Sequence, residues 1–198
     1  MFFGEPTLDL VLIGGNFKSG TSLLCEHVEN SGYRNPAHIT SAAELGHGIG
    51  AGMYSTRECA TARHLNRALA KANLKECGKL EGAMSAYLGS MISALGPQLV
   101  IKDPYMKIFA DHWLRAAKRV GIERGSLLLT RRADIDVFRS WSNSRFLSRV
   151  HRSDPFIFGA LSAPIAAYQV RKLANLGAHV QVVDFHQLPG LICGTERS

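Results

Sequence analysis

Eight consecutive residues near the amino end carry the most specific chemistry in the chain: Gly15-Asn16-Phe17-Lys18-Ser19-Gly20-Thr21-Ser22. They follow an apolar, strand-like run and lead into a helical pattern from Ser19 to about Asn30. A strand-to-helix turn presents unpaired backbone N–H groups and the positive end of a helix to an anion. Gly20 lets the backbone approach a phosphate closely, and Ser19, Thr21 and Ser22 add hydroxyl donors. The glycines and the last hydroxyl keep the spacing of a phosphate loop, G-x-x-x-x-G-K-[ST]. Thr21 fills the lysine slot of that pattern, and the lysine stands at Lys18 instead. From there it can touch the oxygen that bridges a phosphate to a transferred group. The competing reading is a tight turn with a solvated lysine.

Phe17-Lys18-Ser19-Gly20-Thr21-Ser22-Leu23-Leu24 resembles the 5′-phosphosulfate loop of the sulfotransferases, whose pattern is close to x-x-x-K-S-G-T-[ST]-[WL]-L. A second stretch, Arg132-Ala133-Asp134-Ile135-Asp136-Val137-Phe138-Arg139-Ser140, is similar to that family's 3′-phosphate motif, R-D-P-R-D-V-x-x-S. Arg132 and Ser140 keep the spacing and Asp136-Val137 match, while Ala133, Asp134 and Ile135 depart from it. An arginine at the carboxyl end of a strand can fork onto a phosphate. A serine two turns along the next helix can donate to the same group. Arg131 is an alternative for the arginine's role, and a surface ion pair with Asp134 or Asp136 is the competing reading. Two weaker echoes are Val100-Ile101-Lys102-Asp103-Pro104, like a strand-end K-D-P segment, and Val182 to Pro189, like a late strand of the family. The resemblance runs from about Leu8 to Pro189.

The resemblance implies a three-layer α/β/α, P-loop-like sulfotransferase fold around a central parallel sheet. It implies 3′-phosphoadenosine 5′-phosphosulfate (PAPS) as sulfuryl donor, released as adenosine 3′,5′-bisphosphate. Asn16, Phe17, Lys18, Ser19, Gly20, Thr21 and Ser22 would hold the 5′ end, and Arg132 and Ser140 the 3′-phosphate. Lys18 would stabilise the leaving bridge oxygen, and Lys102 and an acidic residue would face a small-molecule or carbohydrate acceptor. Many members carry a Gly-rich, basic loop near the carboxyl end. Residues 186–198 hold at most a remnant of it, which predicts an open cofactor pocket or a weakened or lost activity.

Sulfuryl transfer to a hydroxyl or amine also needs a proton acceptor. Glu58 is the first candidate, in a segment similar to the family's G-[YF]-x-E … N, with Asn66 as the asparagine; Glu44, His47 and Asp103 are the others. Ser55 and Ser41 stand three residues before Glu58 and Glu44, so both glutamates also read as capping-box residues. Arg57, Arg63, Arg67 and Lys71 read as the solvated face of one helix.

Strand-like runs at Leu8–Ile13, Gln98–Ile101, Ser126–Thr130 and His179–Asp184 alternate with helical patterns, the mark of a parallel α/β sheet. The expected helices are Arg57 to about Glu76, Lys79–Leu95, Met106–Val120, one capped by Asp134 and carrying Val137, Phe138 and Trp141, and Ala163–Leu176. Residues 33–56, rich in Gly, Ala, His and Ser, read as an acceptor-side loop too long for an ordinary connection. One domain over 1–198 accommodates all of this.

The chain has 198 residues, 46% of them hydrophobic and 20% charged, which excludes a disordered or fibrous protein. No apolar run is long enough to span a bilayer and no signal-like leader stands at the start, so a cytoplasmic location is expected. Cys25, Cys59, Cys77 and Cys193 lie far apart without metal-finger spacing and read as free thiols, with no metal site. The net charge of +7 suits a polyanionic partner such as a nucleotide cofactor. Two other functions fit parts of the pattern. One is a nucleotide kinase or NTPase, with Asp103 as its magnesium partner. The other is a nucleotide-binding module without chemistry; no DNA-reading or strand-stacking motif points to nucleic acid.

Overall fold

A computed structural model describes residues 7–15, 20–38, 57–132, 136 and 162–188. Four strands form one sheet in which every pairing is parallel: β1 (Asp9–Gly15), β2 (Gln98–Lys102), β3 (Arg124–Arg131) and β4 (His179–Asp184). The order across the sheet is β2-β1-β3-β4. β1 occupies the interior because it is apolar on both faces. Leu10 and Leu12 enter one core with Trp113, Leu127 and Leu173. Val11 and Ile13 enter a second core with Leu24, Cys25 and Val28. A strand buried on both sides reads as a continuous apolar run, which is why the sequence shows no alternation here.

The helix α1 (Thr21–Asn30) follows β1 and covers the Val11/Ile13 face. The opposite face carries α2 (Ala60–Leu69), α3 (Leu74–Leu95), α4 (Met106–Arg119) and α5 (Ser162–Ala174). Helices therefore lie on both sides of the parallel sheet. β2 lies on one side of β1 and β3 on the other, and α1 and α5 cover opposite faces, so the crevice between the carboxyl ends of β1 and β3 is a topological switch point. Open parallel sheets bind ligands at such points. Gly14 permits the junction: a Cβ there would lie 2.6 Å from the backbone nitrogen of Lys107 at the start of α4.

The helix expected over Arg57 to Glu76 is instead two elements. Asn73 breaks it, accepting from the backbone N–H groups of Lys75 and Glu76 while the Glu76 carboxylate accepts from the Asn73 N–H. This capping box starts α3 at Leu74, ahead of the expected Lys79. The start of the long loop expected at 33–56 is also tied down. Arg34 bridges to Leu99 on the outer edge of β2, its N–H donating to Gln98 and its carbonyl accepting from Val100. The helix expected after Asp134 lies outside the described residues. Among those described, no helix is long and apolar enough to cross a membrane.

Candidate functional site

At the head of α1, Gly20 takes the N-cap position in a left-handed conformation, φ 92°. The N-cap makes no side-chain hydrogen bond and no acidic residue stands in the first turn, and the positive end of a helix dipole favours negative charge. Asn16, Phe17, Lys18 and Ser19 lie outside the described residues, as do Glu44, His47 and Ser140. A Cβ on Gly20 would meet Leu188 Cδ1 at 2.6 Å and Phe185 Cδ2 at 2.7 Å. Both belong to the segment after β4, a single 3-10 turn (Phe185–Gln187) followed by Leu188, which packs against Gly20. Leu188, expected to be tail, is buried against Gly20.

β3 carries the arginine to the same place. Gly15 pairs with Thr130, so the carboxyl ends of β1 and β3 lie side by side. The Arg132 guanidinium carbon lies 4.4 Å from the centroid of the Phe185 ring. Arg131 points elsewhere: it is exposed and donates two hydrogen bonds to Asp184, at 2.7 and 3.0 Å. Those bonds hold the Asp184 carboxyl below its ordinary range.

On the other side of β1 from β3 stands Lys102, the last residue of β2, which pairs with Ile13. The apolar sheet surrounds its stem, and its side chain is 2% exposed. Its ammonium donates to Ser22 Oγ at 3.1 Å and to Glu58 Oε1 at 3.3 Å. Burial pushes the ammonium's pKa down, and the charge of Glu58 pulls against that. The sequence allowed a solvated strand-end lysine; the ammonium is instead buried at the head of α1.

Glu58 reaches this position because Cys59 donates its backbone N–H to the carbonyl of Lys102, at 3.4 Å. The N-cap of α2 is Cys59, whose Sγ accepts from the Ala62 N–H. Glu58 therefore precedes the helix and does not close a capping box at its N3 position. Its other oxygen meets Arg63 at 2.6 Å. Arg63, expected on a solvated face, thus turns inward, and its Nε stands 3.8 Å from Asp103 Oδ2.

Asp103 is fully buried and accepts from Asn66 Nδ2 at 3.0 Å and from the Tyr105 N–H at 2.9 Å. Burial first, and then the charge of Glu58, push its pKa up to about 6 against the pull of Arg63. Asn66 in turn accepts from the Trp113 indole at 2.8 Å. The result is a buried polar chain from the core to the head of α1: Trp113, Asn66, Asp103, Arg63, Glu58, Lys102, Ser22. Asp103 thus lies at the buried end of this chain, held by Asn66 and the Tyr105 N–H.

Sequence reasoning missed Arg63 and Phe185 as site residues, and it met Asn66 only as part of an echo. A signal for Asn66 was present, since an amide beside Leu65 and before Leu69 interrupts an apolar helix face. Nothing in the sequence separates Arg63 from Arg67. Among the described residues no cluster of His, Cys, Asp or Glu is arranged to hold a metal ion. The Cys25 and Cys59 thiols are buried, and burial pushes both pKa values up. No family model matches the chain, and no curated protein matches it.

Proposed function

We propose that this chain is a sulfotransferase that moves a sulfuryl group from PAPS to a hydroxyl or amine of a small-molecule or carbohydrate acceptor. The observation that carries the reading is the sharing of one ring. Gly20, from the phosphate loop, and Arg132, from the end of β3, both abut Phe185. Two anion-binding elements on one wall suit a nucleotide with charge at both its 5′ and 3′ ends. The donor set fits such a group: an uncapped helix start, the Ser22 hydroxyl, a buried ammonium and a guanidinium.

PAPS, when bound, supplies an activated sulfuryl group on its 5′-phosphate. The N–H groups at the head of α1 and the Ser22 hydroxyl then hold the 5′ end, and Arg132 holds the 3′-phosphate. Lys18 and Lys102 neutralise charge on the departing oxygen, the largest service a preorganised site performs in such transfers. Glu58 accepts the proton of the acceptor as its oxygen or nitrogen bonds to sulfur. Arg63 keeps Glu58 beside Lys102 until that exchange.

Calorimetric titration of the purified chain with adenosine 3′,5′-bisphosphate, AMP and ATP tests this. The bisphosphate is expected to bind at least about tenfold more tightly than AMP, because only it engages both elements; a tenfold ratio corresponds to about 1.4 kcal/mol, one charge-assisted contact. Equal affinities would remove the two-ended site, and a preference for ATP with magnesium would substitute the kinase reading.

A further inference from the structure

We infer that Glu29, on the last turns of α1 and outside the anion-binding residues, is the positioning residue that holds Glu58 on Lys102; what Glu58 then does rests on the function proposed above. The Glu29 carboxylate is largely buried, with its side chain 12% exposed. One oxygen accepts from Asn35 Nδ2 at 2.7 Å, and the other is paired with the Arg57 guanidinium. His38 Nε2 stands 3.4 Å from that second oxygen, and Glu26 adds a weaker pair to Arg57 at 3.3 Å. The Asn35 amide also donates to the Arg57 carbonyl, at 3.3 Å. Glu29 therefore gathers Asn35 and Arg57, far apart in the chain, at one point.

The backbone of Arg57 explains why that matters. Among the described residues Arg57 is the sole non-glycine residue at positive φ, 52°, a conformation that persists only where the surroundings impose it. Here the surroundings are Glu29 and Glu26 on its side chain and Asn35 on its carbonyl. The next residue is Glu58, and the one after it is fixed by the Cys59–Lys102 backbone bond. With the chain held on both sides, the Glu58 carboxylate has one direction to take, between Lys102 and Arg63. Releasing Arg57 frees the turn on one side and lets that carboxylate leave the buried ammonium.

The test uses the full chain without ligand. The Lys102 ammonium is titrated by nuclear magnetic resonance of its 13C-labelled side chain in wild type, Glu58→Gln, Glu29→Gln and Arg57→Ala. Glu58→Gln removes the favourable charge and lowers the Lys102 midpoint. Glu29→Gln and Arg57→Ala are expected to lower it by at least half as much. A midpoint unchanged in both variants, whether or not thermal stability falls, overturns the inference. Should Glu29→Gln fail to fold, Arg57→Ala decides alone. A second arm follows PAPS-dependent sulfation of 4-nitrophenol. There Glu29→Gln should cost about 10- to 100-fold in turnover, as a displaced catalytic group does, and nothing further on top of Glu58→Gln. Additive losses count against the inference. Absence of any wild-type turnover would count against the proposed function alone, because the Lys102 titration stands without it.

Discussion

Arg132 and Gly20 meet through Phe185. The guanidinium carbon of Arg132 lies 4.4 Å from the ring centroid, and the edge of the same ring lies where a side chain on Gly20 would be. A guanidinium over an aromatic face is held by the ring quadrupole, worth about 0.5–2 kcal/mol depending on desolvation. The ring thus sets the spacing between Gly20 and the arginine. Phe185→Leu keeps an apolar contact with the loop but removes the quadrupole. Affinity for adenosine 3′,5′-bisphosphate should fall by about 2- to 30-fold in calorimetry, with little change for AMP. An equal loss for both nucleotides would mean that the ring serves the loop and not the arginine.

The strands were legible in the sequence because their composition leaves no alternative. His179–Asp184 forms β4 as read, and Gln98–Ile101 lengthens by one residue to take in Lys102. The second half of the candidate site was harder to see. Arg63 and Arg67 both lie on a basic helix, and only the tertiary position of Glu58 decides that Arg63 turns inward. Glu58 itself carried two readings, cap or site residue, which local spacing does not separate. The Cys59–Lys102 backbone bond separates them, and it joins residues more than forty positions apart. The break at Asn73 was local and readable, since Asn followed by Glu three residues later is a helix start. A run of apolar spacing through it concealed the signal.

Gly14 controls how closely α4 approaches the end of β1. A methyl group there would sit 2.6 Å from the Lys107 nitrogen and 3.1 Å from the Met106 carbonyl carbon, which are backbone atoms that cannot rotate away. Gly14→Ala must therefore push α4, and Asp103 before it, off the end of β1. Overpacking of this kind costs about 1–3 kcal/mol, measurable as a lower urea midpoint. A midpoint unchanged within error would show that α4 can shift without cost.

Two lysines are assigned to charge on the departing oxygen, and they differ in what else they do. Lys18→Ala removes a transition-state donor and should lower turnover by about 100- to 1000-fold. A loss under threefold would remove Lys18 from the chemistry. Lys102→Ala should lower turnover at least as much, because it also strips the buried Glu58 of one of its two cations. Unlike Lys18→Ala, it should lower thermal stability as well, since a buried carboxylate left with fewer partners is costly. Differential scanning calorimetry of the two variants separates these roles.

Asp103 makes the fold itself sensitive to pH, with a sign opposite to that of an ordinary salt-bridged carboxylate. Burial raises its pKa from 3.8 to about 6, so the folded chain holds this proton more tightly than the unfolded chain does. The resulting stability is fully present below about pH 4 and is lost as pH rises through about 6. Over that window the loss attributable to this one group is roughly 3 kcal/mol. Asp103→Asn keeps an oxygen to accept from Asn66 and Tyr105 but cannot ionise. The remaining ionisable groups are common to both proteins, so the pH dependence of the difference in unfolding free energy reports chiefly on Asp103. That difference should favour the variant increasingly from pH 4 to pH 7 in urea titrations. A constant difference across the range would mean that Arg63 already holds Asp103 ionised at pH 4.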